Sequence, residues 1–258
     1  MKAILLGSGT SGGVPRIGND WGACDPDNPR NRRSRVSMIV EHAGQRILID
    51  TSPDLRGQLL AQDIGALDAV IWTHDHADHS HGIDDLRALF HNSRKPLAGF
   101  GRPYTLQSLV SRFDYVFTGG DGYPSIVQAN TLADEQTICG LRVRCVNQPH
   151  GPVLSTGLRF DIGGLSVVYA TDFSAITDDM VALYEGCDLL VTDCLRYDKH
   201  PTHANLAMAL ELAERCGAFH TVLTHMDKSL DYATLCAELP DEIEPGYDGL
   251  VIDLMGRA

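Results

Sequence analysis

The stretch THDHADH at residues 73–79 decides how this sequence is interpreted. It follows Ala69–Trp72, a short apolar run that is typical of a buried strand, so the pattern H-x-H-x-D-H lies at a strand's carboxyl end. His74 and His76 are two residues apart, and in an extended chain both imidazoles project to one side. The two side chains can therefore share a metal ion.

The end of the motif supplies a second pair of ligands. Asp78 and His79 lie beyond the strand and point elsewhere, which suits a second ion about 3.5–4 Å from the first. A purely structural role would bury three imidazoles and two carboxylates within six residues, with polar groups left without partners. We therefore interpret the motif as a metal site.

The composition of the 258-residue chain narrows the classes of function. Apolar residues make up 43% and charged residues 21%, which is ordinary for a globular protein. The net charge of −13 opposes general binding to nucleic acid through phosphate contacts. No apolar stretch approaches the ~20 residues of a membrane span, and the first residues lack the apolar region of a secretory signal. We expect a cytoplasmic protein with neither a membrane nor a nucleic-acid partner.

Cysteine usage agrees with that compartment. The seven cysteines are an odd number and include no C-x-x-C pair. We expect reduced thiols that mostly fill the core.

Apolar β-branched runs alternate with helical periodicities along the chain, which predicts an α/β fold with mixed sheets. No linker or internal repeat divides it, so we predict one domain over residues 1–258. The predicted strands are 2–6, 36–41, 46–50, 69–73, 141–147, 157–161, 166–171, 189–193 and 221–224, and the predicted helices are 53–64, 104–113, 177–184, 203–216 and 233–239. Glycine turns at 42–45 and 162–165 predict hairpins. Residues 114–130 show no periodicity and are either a functional loop or a plain surface excursion.

A glycine-rich stretch after the first strand imitates a cofactor motif. Residues 7–12 match G-x-G-x-x-G, the dinucleotide fingerprint. A true fingerprint opens a helix, whereas Gly13, Pro15 and Gly18 prevent one here. We expect a turn in which glycine lets the backbone approach another segment closely.

Two ligand pairs cannot complete two coordination shells, so further histidines and a bridging carboxylate are expected at other strand ends. Three predicted strands end in such residues, which are His150, Asp172 and His225. Each residue alone is weak evidence, and His150 alone would favour a structural role. Together with the motif they make up a full ligand set.

These residues resemble the metallo-β-lactamase superfamily over the whole length of the chain. The resemblance implies a four-layer αββα sandwich of two mixed β-sheets flanked by helices, with a dinuclear metal centre at the edge of the sheets. It also implies the ligands: His74, His76 and His150 for one metal, Asp78, His79 and His225 for the other, and Asp172 as the bridge. Asp50 matches an acidic residue that orients ligand histidines from behind, although it could instead cap the following helix.

Two further segments resemble the phosphoribosyl cyclic phosphodiesterases of phosphonate breakdown. They are the glycine-rich stretch 7–15, with the arginines after it, and Pro-Thr-His-Ala-Asn at 201–205. In such enzymes the histidine that matches His203 protonates the departing oxygen. His200 is the competing candidate, and simple helix capping by Thr202 is the structural alternative.

The chain also departs from these relatives, which carry a separate structural zinc site. Only Cys24 remains of a cysteine cluster, and Lys228 stands where a histidine would be expected. A closed zinc site needs four ligands, so we predict none in this chain.

Four arginines crowd the segment 30–35 of this acidic protein. Most of them are expected to pair with nearby acids on a solvated loop. We hypothesise that Arg33 or Arg35 binds an anionic group of the substrate through bidentate hydrogen bonds.

The sequence leads to one hypothesis of function. The protein is predicted to hydrolyse a small phosphodiester, including cyclic ones, with a hydroxide that bridges two divalent ions and with Asp78 and His203 as catalytic residues. Imidazole and carboxylate ligands suit zinc, manganese or iron, of which we favour zinc or manganese. The alternatives are hydrolysis of a thioester or another ester and a non-catalytic small-molecule carrier on the same fold. Because related enzymes are often homodimers, we expect a homodimer.

Overall fold

Two seven-stranded sheets form the centre of the computed structural model, which describes residues 1–120 and 122–254. In the first sheet the spatial order is β14-β1-β2-β3-β4-β5-β6. Its strands are β1 (Lys2–Gly7), β2 (Ser37–His42), β3 (Gln45–Ile49), β4 (Ala69–Trp72), β5 (Leu97–Gly101), β6 (Val127–Thr131) and β14 (Leu250–Asp253). Pairing is antiparallel from β14 to β3 and parallel from β3 to β6, so the sheet is mixed.

The second sheet repeats this arrangement in the order β13-β12-β11-β10-β9-β8-β7. Its strands are β7 (Glu135–Ile138), β8 (Leu141–His150), β9 (Val153–Ile162), β10 (Leu165–Ala170), β11 (Leu189–Asp193), β12 (His220–Thr224) and β13 (Ile243–Pro245). Strands β7 to β10 pair antiparallel, and β10 to β13 pair parallel. Because parallel strands all end at one edge, both sheets place several carboxyl ends side by side.

Helices cover the outer face of each sheet. They are α1 (Leu55–Ala61), α2 (Ala77–Ser80), α3 (Leu86–Ser93), α4 (Pro103–Arg112), α5 (Asp114–Phe117), α6 (Asp178–Tyr184), α7 (Leu206–Cys216) and α8 (Tyr232–Glu238), with short 3-10 turns at Pro29–Asn31 and Ile83–Asp85. Among the described residues, none of these helices is long and apolar enough to cross a membrane.

Alternation along the strands builds the layers. On β3, Ile47 and Ile49 face the core between the two sheets, while Leu48 packs outward with Leu55 and Leu59 of α1. A third cluster fills the space between the second sheet and α6 and α7. The result is helix, sheet, sheet, helix, which confirms the predicted fold class.

All nine predicted strands and both predicted hairpins form, with shifted ends. Five strands were missed, and they are the outer or glycine-containing ones: β5, β6, β7, β13 and β14. For example, β6 reads VQANT, which carries little intrinsic strand preference and forms because it pairs with the parallel edge of β5.

The sequence prediction also differs from the structure at the start of one helix and in one predicted loop. The helix predicted from 203 begins at Leu206, because the Asn205 side chain accepts a hydrogen bond from Met208 N and caps it there. Residues 114–130 were predicted to form a loop, and in the structure they contain α5 and most of β6. Residue 121 lies outside the described residues.

The glycine-rich stretch after β1 runs as an extended segment between two others. Gly9 N donates to Ser34 O at 2.8 Å, and Thr10 N donates to Met226 O at 3.1 Å. A Cβ at Gly9 would lie 2.9 Å from Arg33 Cβ, which is too close. The stretch thus joins the segment around residue 34 to the one that follows β12.

Candidate metal centre

Six strand ends converge at one edge of the sandwich. The residues that they deliver are Asp50 after β3, the motif 74–79 after β4, His150 at the end of β8, Asp172 after β10, Asp193 at the end of β11 and His225 after β12. Three of them have left-handed backbone, with φ of 61° at Asp50, 57° at Asp172 and 59° at His225. Such conformations cost about 1–3 kcal/mol in residues other than glycine and concentrate at functional sites.

Four side chains form the first group of the centre. His74 Nε2 and His150 Nε2 lie 3.7 Å and 3.5 Å from Asp172 Oδ2. His76 Nδ1 lies 3.2 Å from His150 Nε2. One ligand atom from each of the four lies within 4.8 Å of the others, so a single cation fits among them.

The second group shares the same aspartate. His79 Nε2 and His225 Nε2 lie 3.3 Å and 3.6 Å from Asp172 Oδ1. Asp78 Oδ2 lies 3.6 Å from His79 Nε2 and 3.4 Å from His225 Nε2. The two oxygens of Asp172 therefore face different ligand groups, which is the placement of a bridging carboxylate.

The chemistry of these donors fits divalent cations. His74 Nε2 and His79 Nε2 are buried and have no hydrogen-bond partner in the described chain, a state that buried polar atoms rarely keep. Burial and neighbouring histidines lower the pKa of His74 well below its ordinary value, so it is neutral, as ligation requires. Imidazole with carboxylate suits zinc, manganese or iron.

The electrostatics of the second ligand group also favour a bound cation. Burial opposes protonation of His225, yet Asp172, Asp78 and Asp193 outweigh it and raise the pKa of His225 to about 9. For Asp172, burial opposes ionisation, but His225 and His79 hold its pKa well below the ordinary value. Asp172 is thus ionised and attracts cations to this point.

Asp50 lies behind the ligands, where the sequence placed it. Its Oδ2 is 2.7 Å from His79 Nδ1 and accepts a hydrogen bond from Thr73 Oγ1 at 2.8 Å, while Oδ1 accepts one from Thr73 N at 2.8 Å. The carboxylate is fully buried and makes no cap for α1. It fixes the proton of His79 on Nδ1 and leaves Nε2 facing Asp172.

His203 reaches the same cluster from the loop before α7. Its Nδ1 lies 3.2 Å from Asp193 Oδ2 and 3.8 Å from Asp172 Oδ2, and its ring stacks on His225 at 4.7 Å between centroids. The competing His200 has its ring centroid 5.2 Å from that of His203, and its Nδ1 accepts a hydrogen bond from Thr202 N at 3.3 Å.

Asp193 is a site residue that the sequence analysis missed. It is fully buried, and its second oxygen, Oδ1, lies 3.6 Å from His225 Nδ1. Its local pattern, LLVTD at 189–193, is an apolar strand that ends in aspartate, as before Asp50 and Asp172. That shared pattern was the available signal.

Arg33 and Arg35 do not enter the ligand cluster. Arg33 is only 1% exposed, and its guanidinium donates to Leu230 O at 2.7 Å and to Asp227 O at 3.1 Å. These contacts give the Arg33 guanidinium a structural role. Arg35 pairs with Asp54 at 2.9 Å, and both arginines line a groove of about 630 Å³. Binding of an anionic substrate group by Arg33 or Arg35 stays a prediction.

Replacing Arg33 with alanine should destabilise the fold by about 2–4 kcal/mol, because two buried carbonyls lose a charged donor and a cavity remains. Arg35→Ala removes a half-exposed ion pair and should cost less than about 1 kcal/mol. Urea denaturation midpoints of the two variants measure the difference. Equal midpoints would contradict the structural assignment of Arg33.

The segment predicted to lack structural zinc is held by other contacts. Cys24 is buried, and its Sγ lies 3.5 Å from Leu230 O. Lys228 pairs with Asp20, and Lys228 O accepts a hydrogen bond from Ala23 N at 2.9 Å.

Comparisons with known proteins agree with this geometry. The sequence profile of the β-lactamase superfamily domain matches residues 45–226. A solved structure described as a new diphosphatase from the PhnP family has a TM-score of 0.89 and 34% identity, covering 98% of each chain. The zinc-bound PqqB of Methylobacterium extorquens shares the fold, with a TM-score of 0.79 at 20% identity, over 98% of this chain and 100% of that one.

Among curated sequences, an octanoyltransferase of Porphyromonas gingivalis is 36% identical over 267 aligned residues. The match takes in 99% of this chain but 52% of the relative, so the chain spans about half of that protein's length. Coenzyme PQQ synthesis protein B of Xanthomonas campestris is 27% identical, over 75% of this chain and 72% of the relative. The profile match and the relative that is 34% identical over nearly all of both chains confirm the predicted resemblance: the chain belongs to the metallo-β-lactamase superfamily of hydrolase folds.

Proposed function

We propose that this protein is a dinuclear metal hydrolase that cleaves a small phosphodiester. The observation that carries the proposal is Asp172, whose two oxygens face two separate groups of ligands 3.3–3.7 Å away. The related diphosphatase supports a phosphorus-containing substrate. The net charge of −13 supports a small molecule over a polynucleotide.

Seven side chains would hold two cations, zinc or manganese. One group is His74, His76 and His150, the other is Asp78, His79 and His225, and Asp172 belongs to both. Bound there, divalent cations lower the pKa of water to about 7 and neutralise charge on phosphoryl oxygens.

His203 is placed to manage the leaving group's proton. Because its Nδ1 faces the carboxylate of Asp193, the proton on Nδ1 is held there, and Nε2 is the atom that exchanges a proton with the substrate. The carboxylate of Asp193 thus orients the imidazole of His203. His200 Nδ1 instead accepts a hydrogen bond from Thr202 N, which favours His203 as the general acid.

Asp78 contributes a second ionised group at the mouth of the site. Burial opposes its ionisation, but His79 and His225 keep the pKa of Asp78 well below the ordinary value. It therefore stays an anionic ligand and is available to accept a hydrogen bond from an attacking water.

A second candidate is hydrolysis of an acyl thioester. The curated relative that matches almost the whole chain is named an octanoyltransferase, and an acyl carbonyl could occupy the same cation pair. Since the chain covers about half of that relative, the name does not say which half carries the transferase activity.

Turnover measured with and without metal separates these functions. We expect the chelator-stripped protein to be inactive and the zinc- or manganese-loaded protein to hydrolyse bis(p-nitrophenyl) phosphate faster than octanoyl-CoA or a chromogenic lactam. Faster cleavage of octanoyl-CoA would favour the thioester hydrolase. Binding of two metal equivalents with no turnover of any substrate would favour a carrier.

A further inference from the structure

His76 differs in how it is held from three of the other candidate metal-binding histidines, while Nδ1 of the fourth, His225, faces Asp193 Oδ1 at 3.6 Å. His79 Nδ1 has Asp50 Oδ2 at 2.7 Å, His150 Nδ1 has Thr202 O at 2.7 Å, and His74 Nδ1 has Thr73 Oγ1 at 3.1 Å. Ligand histidines almost always have such a partner on the nitrogen that does not bind metal, because it fixes the orientation of the ring.

His76 has no such partner within the described chain. Its Nδ1 faces His150 across the first ligand group, so Nε2 is the nitrogen turned away from that group, and the side chain is exposed. Neither burial nor a partner on the outward nitrogen therefore sets its direction. Besides ring contacts with His74 and His150 inside the ligand group, the backbone on either side of His76 positions it.

Two side chains of α4 donate hydrogen bonds to Asp75, the residue before His76. Arg112 Nη2 donates to Asp75 O at 2.5 Å and to Asp75 Oδ2 at 2.8 Å. Ser108 Oγ donates to the same Oδ2 at 2.5 Å. On the other side, Ser80 Oγ donates to His76 O at 2.7 Å.

The sequence of α4 explains why both donors reach one residue. Ser108 and Arg112 are four positions apart and share a helix face, and Arg112 ends the helix, where a cation is favoured. Leu106 and Leu109 anchor the helix in the outer core. Asp75, the residue between His74 and His76, is thus tied to this helix.

We propose that Ser108 and Arg112 are positioning residues that hold His76 in place for the first metal through Asp75. Both contact Asp75 and not the ligand atoms. The inference rests on the metal centre of the proposed function and not on which substrate is cleaved. Its consequence is selective: the first cation, held by His74, His76, His150 and Asp172, should depend on α4, and the second should not.

The test is metal binding to the full chain, with zinc as the probe. We expect Arg112→Ala to weaken one of two zinc equivalents about 10- to 100-fold, the loss that follows removal of a ligand's supporting contact, and to leave the other unchanged. Ser108→Ala should weaken the same equivalent less, and Arg112→Lys should restore part of the affinity because an ammonium can still reach the Asp75 carboxylate.

Arg87→Ala is the matched control. Arg87 pairs with Asp84 at 3.1 Å on the surface near α3 and is exposed to a similar degree, 39% against 37% for Arg112. The Arg87→Ala variant should bind both zinc equivalents with the affinities of the parent protein. Isothermal titration with zinc measures the affinities, and the d–d spectrum of the cobalt-loaded protein reports which ligand set is disturbed.

Three results would overturn the inference. They are unchanged zinc affinities in both Arg112→Ala and Ser108→Ala, equal weakening of both equivalents, and a similar loss in Arg87→Ala. If the parent protein binds no zinc, the metal centre itself is wrong, whereas two equivalents in the parent with no selective loss in the variants refute only the role of α4. Thermal melts of the metal-free variants identify any loss that comes from unfolding, in which case Ser108→Ala decides.

Discussion

Asp172→Asn is expected to abolish metal loading and turnover together. Both ligand groups converge on this carboxylate, with His74 and His150 at one oxygen and His79 and His225 at the other. The amide keeps the shape of the side chain but removes its charge. The rate of bis(p-nitrophenyl) phosphate hydrolysis should fall by about 10³-fold or more, since several kcal/mol of charge stabilisation is lost.

Elemental analysis of dialysed protein, beside the initial rate, measures this result. The matched control is Asp248→Asn, which changes a partly buried carboxylate outside the ligand groups. Asp248 accepts hydrogen bonds from Ser8 and Ser34 and lies outside the ligand groups, so this variant should keep the metal content of the parent. An Asp172→Asn protein that retains two equivalents would contradict the bridging role.

His203→Gln should spare metal content and lower kcat by about 10²- to 10⁴-fold, the usual contribution of a general acid. Its Nδ1 faces Asp193, and in the proposed mechanism the proton would leave from Nε2 toward the departing oxygen. The loss should be large for an alkyl phosphodiester, whose alkoxide needs a proton. It should be small for a p-nitrophenyl ester, whose phenolate departs without one.

Single-turnover rates with both ester types measure that contrast, and His200→Gln serves as the neighbouring control. Equal losses for the two leaving groups would argue against proton donation. Loss of metal from His203→Gln would instead make His203 a ligand, which its place within 4.8 Å of ligand atoms of Asp172, Asp193 and His225 would permit.

Most strands of the fold could be predicted because they are local apolar runs. Strands such as β3 and β10 carry continuous apolar runs, so their existence follows from the sequence alone. Strands β6 and β7 read VQANT and EQTI, and only pairing with a neighbour makes them strands. The residues of β6 and β7 alone do not contain that neighbour, so the local sequence does not predict these strands.

The position of the ligands could be predicted for a related reason. Three further strands end near His150, Asp172 and His225, so the sequence predicts these residues beside the motif. In the structure β10 and β12 run parallel, and β8 runs in their direction after two antiparallel pairings, so all three ends reach one edge. Asp193 has the same local pattern but was not singled out, because its partners, His203 and His225, lie 10 and 32 residues away.

The arginines show the opposite case. Nothing within residues 30–35 distinguishes a cation that reaches solvent from one that is enclosed. Arg33 is enclosed because the segment 227–230 packs over it and supplies carbonyl oxygens. The hold of Arg112 on Asp75 likewise joins residues 37 positions apart.

By itself the sequence determined an α/β fold with mixed sheets, because apolar periodicity and strand ends are local properties, and its motifs carried the resemblance that implied two stacked sheets and seven candidate ligands. Tertiary structure alone decided which carboxylate contacts His203, which arginine is buried and which residues contact Asp75 beside His76. Those properties depend on distances between side chains that are remote in sequence, and such distances exist only once the chain has packed.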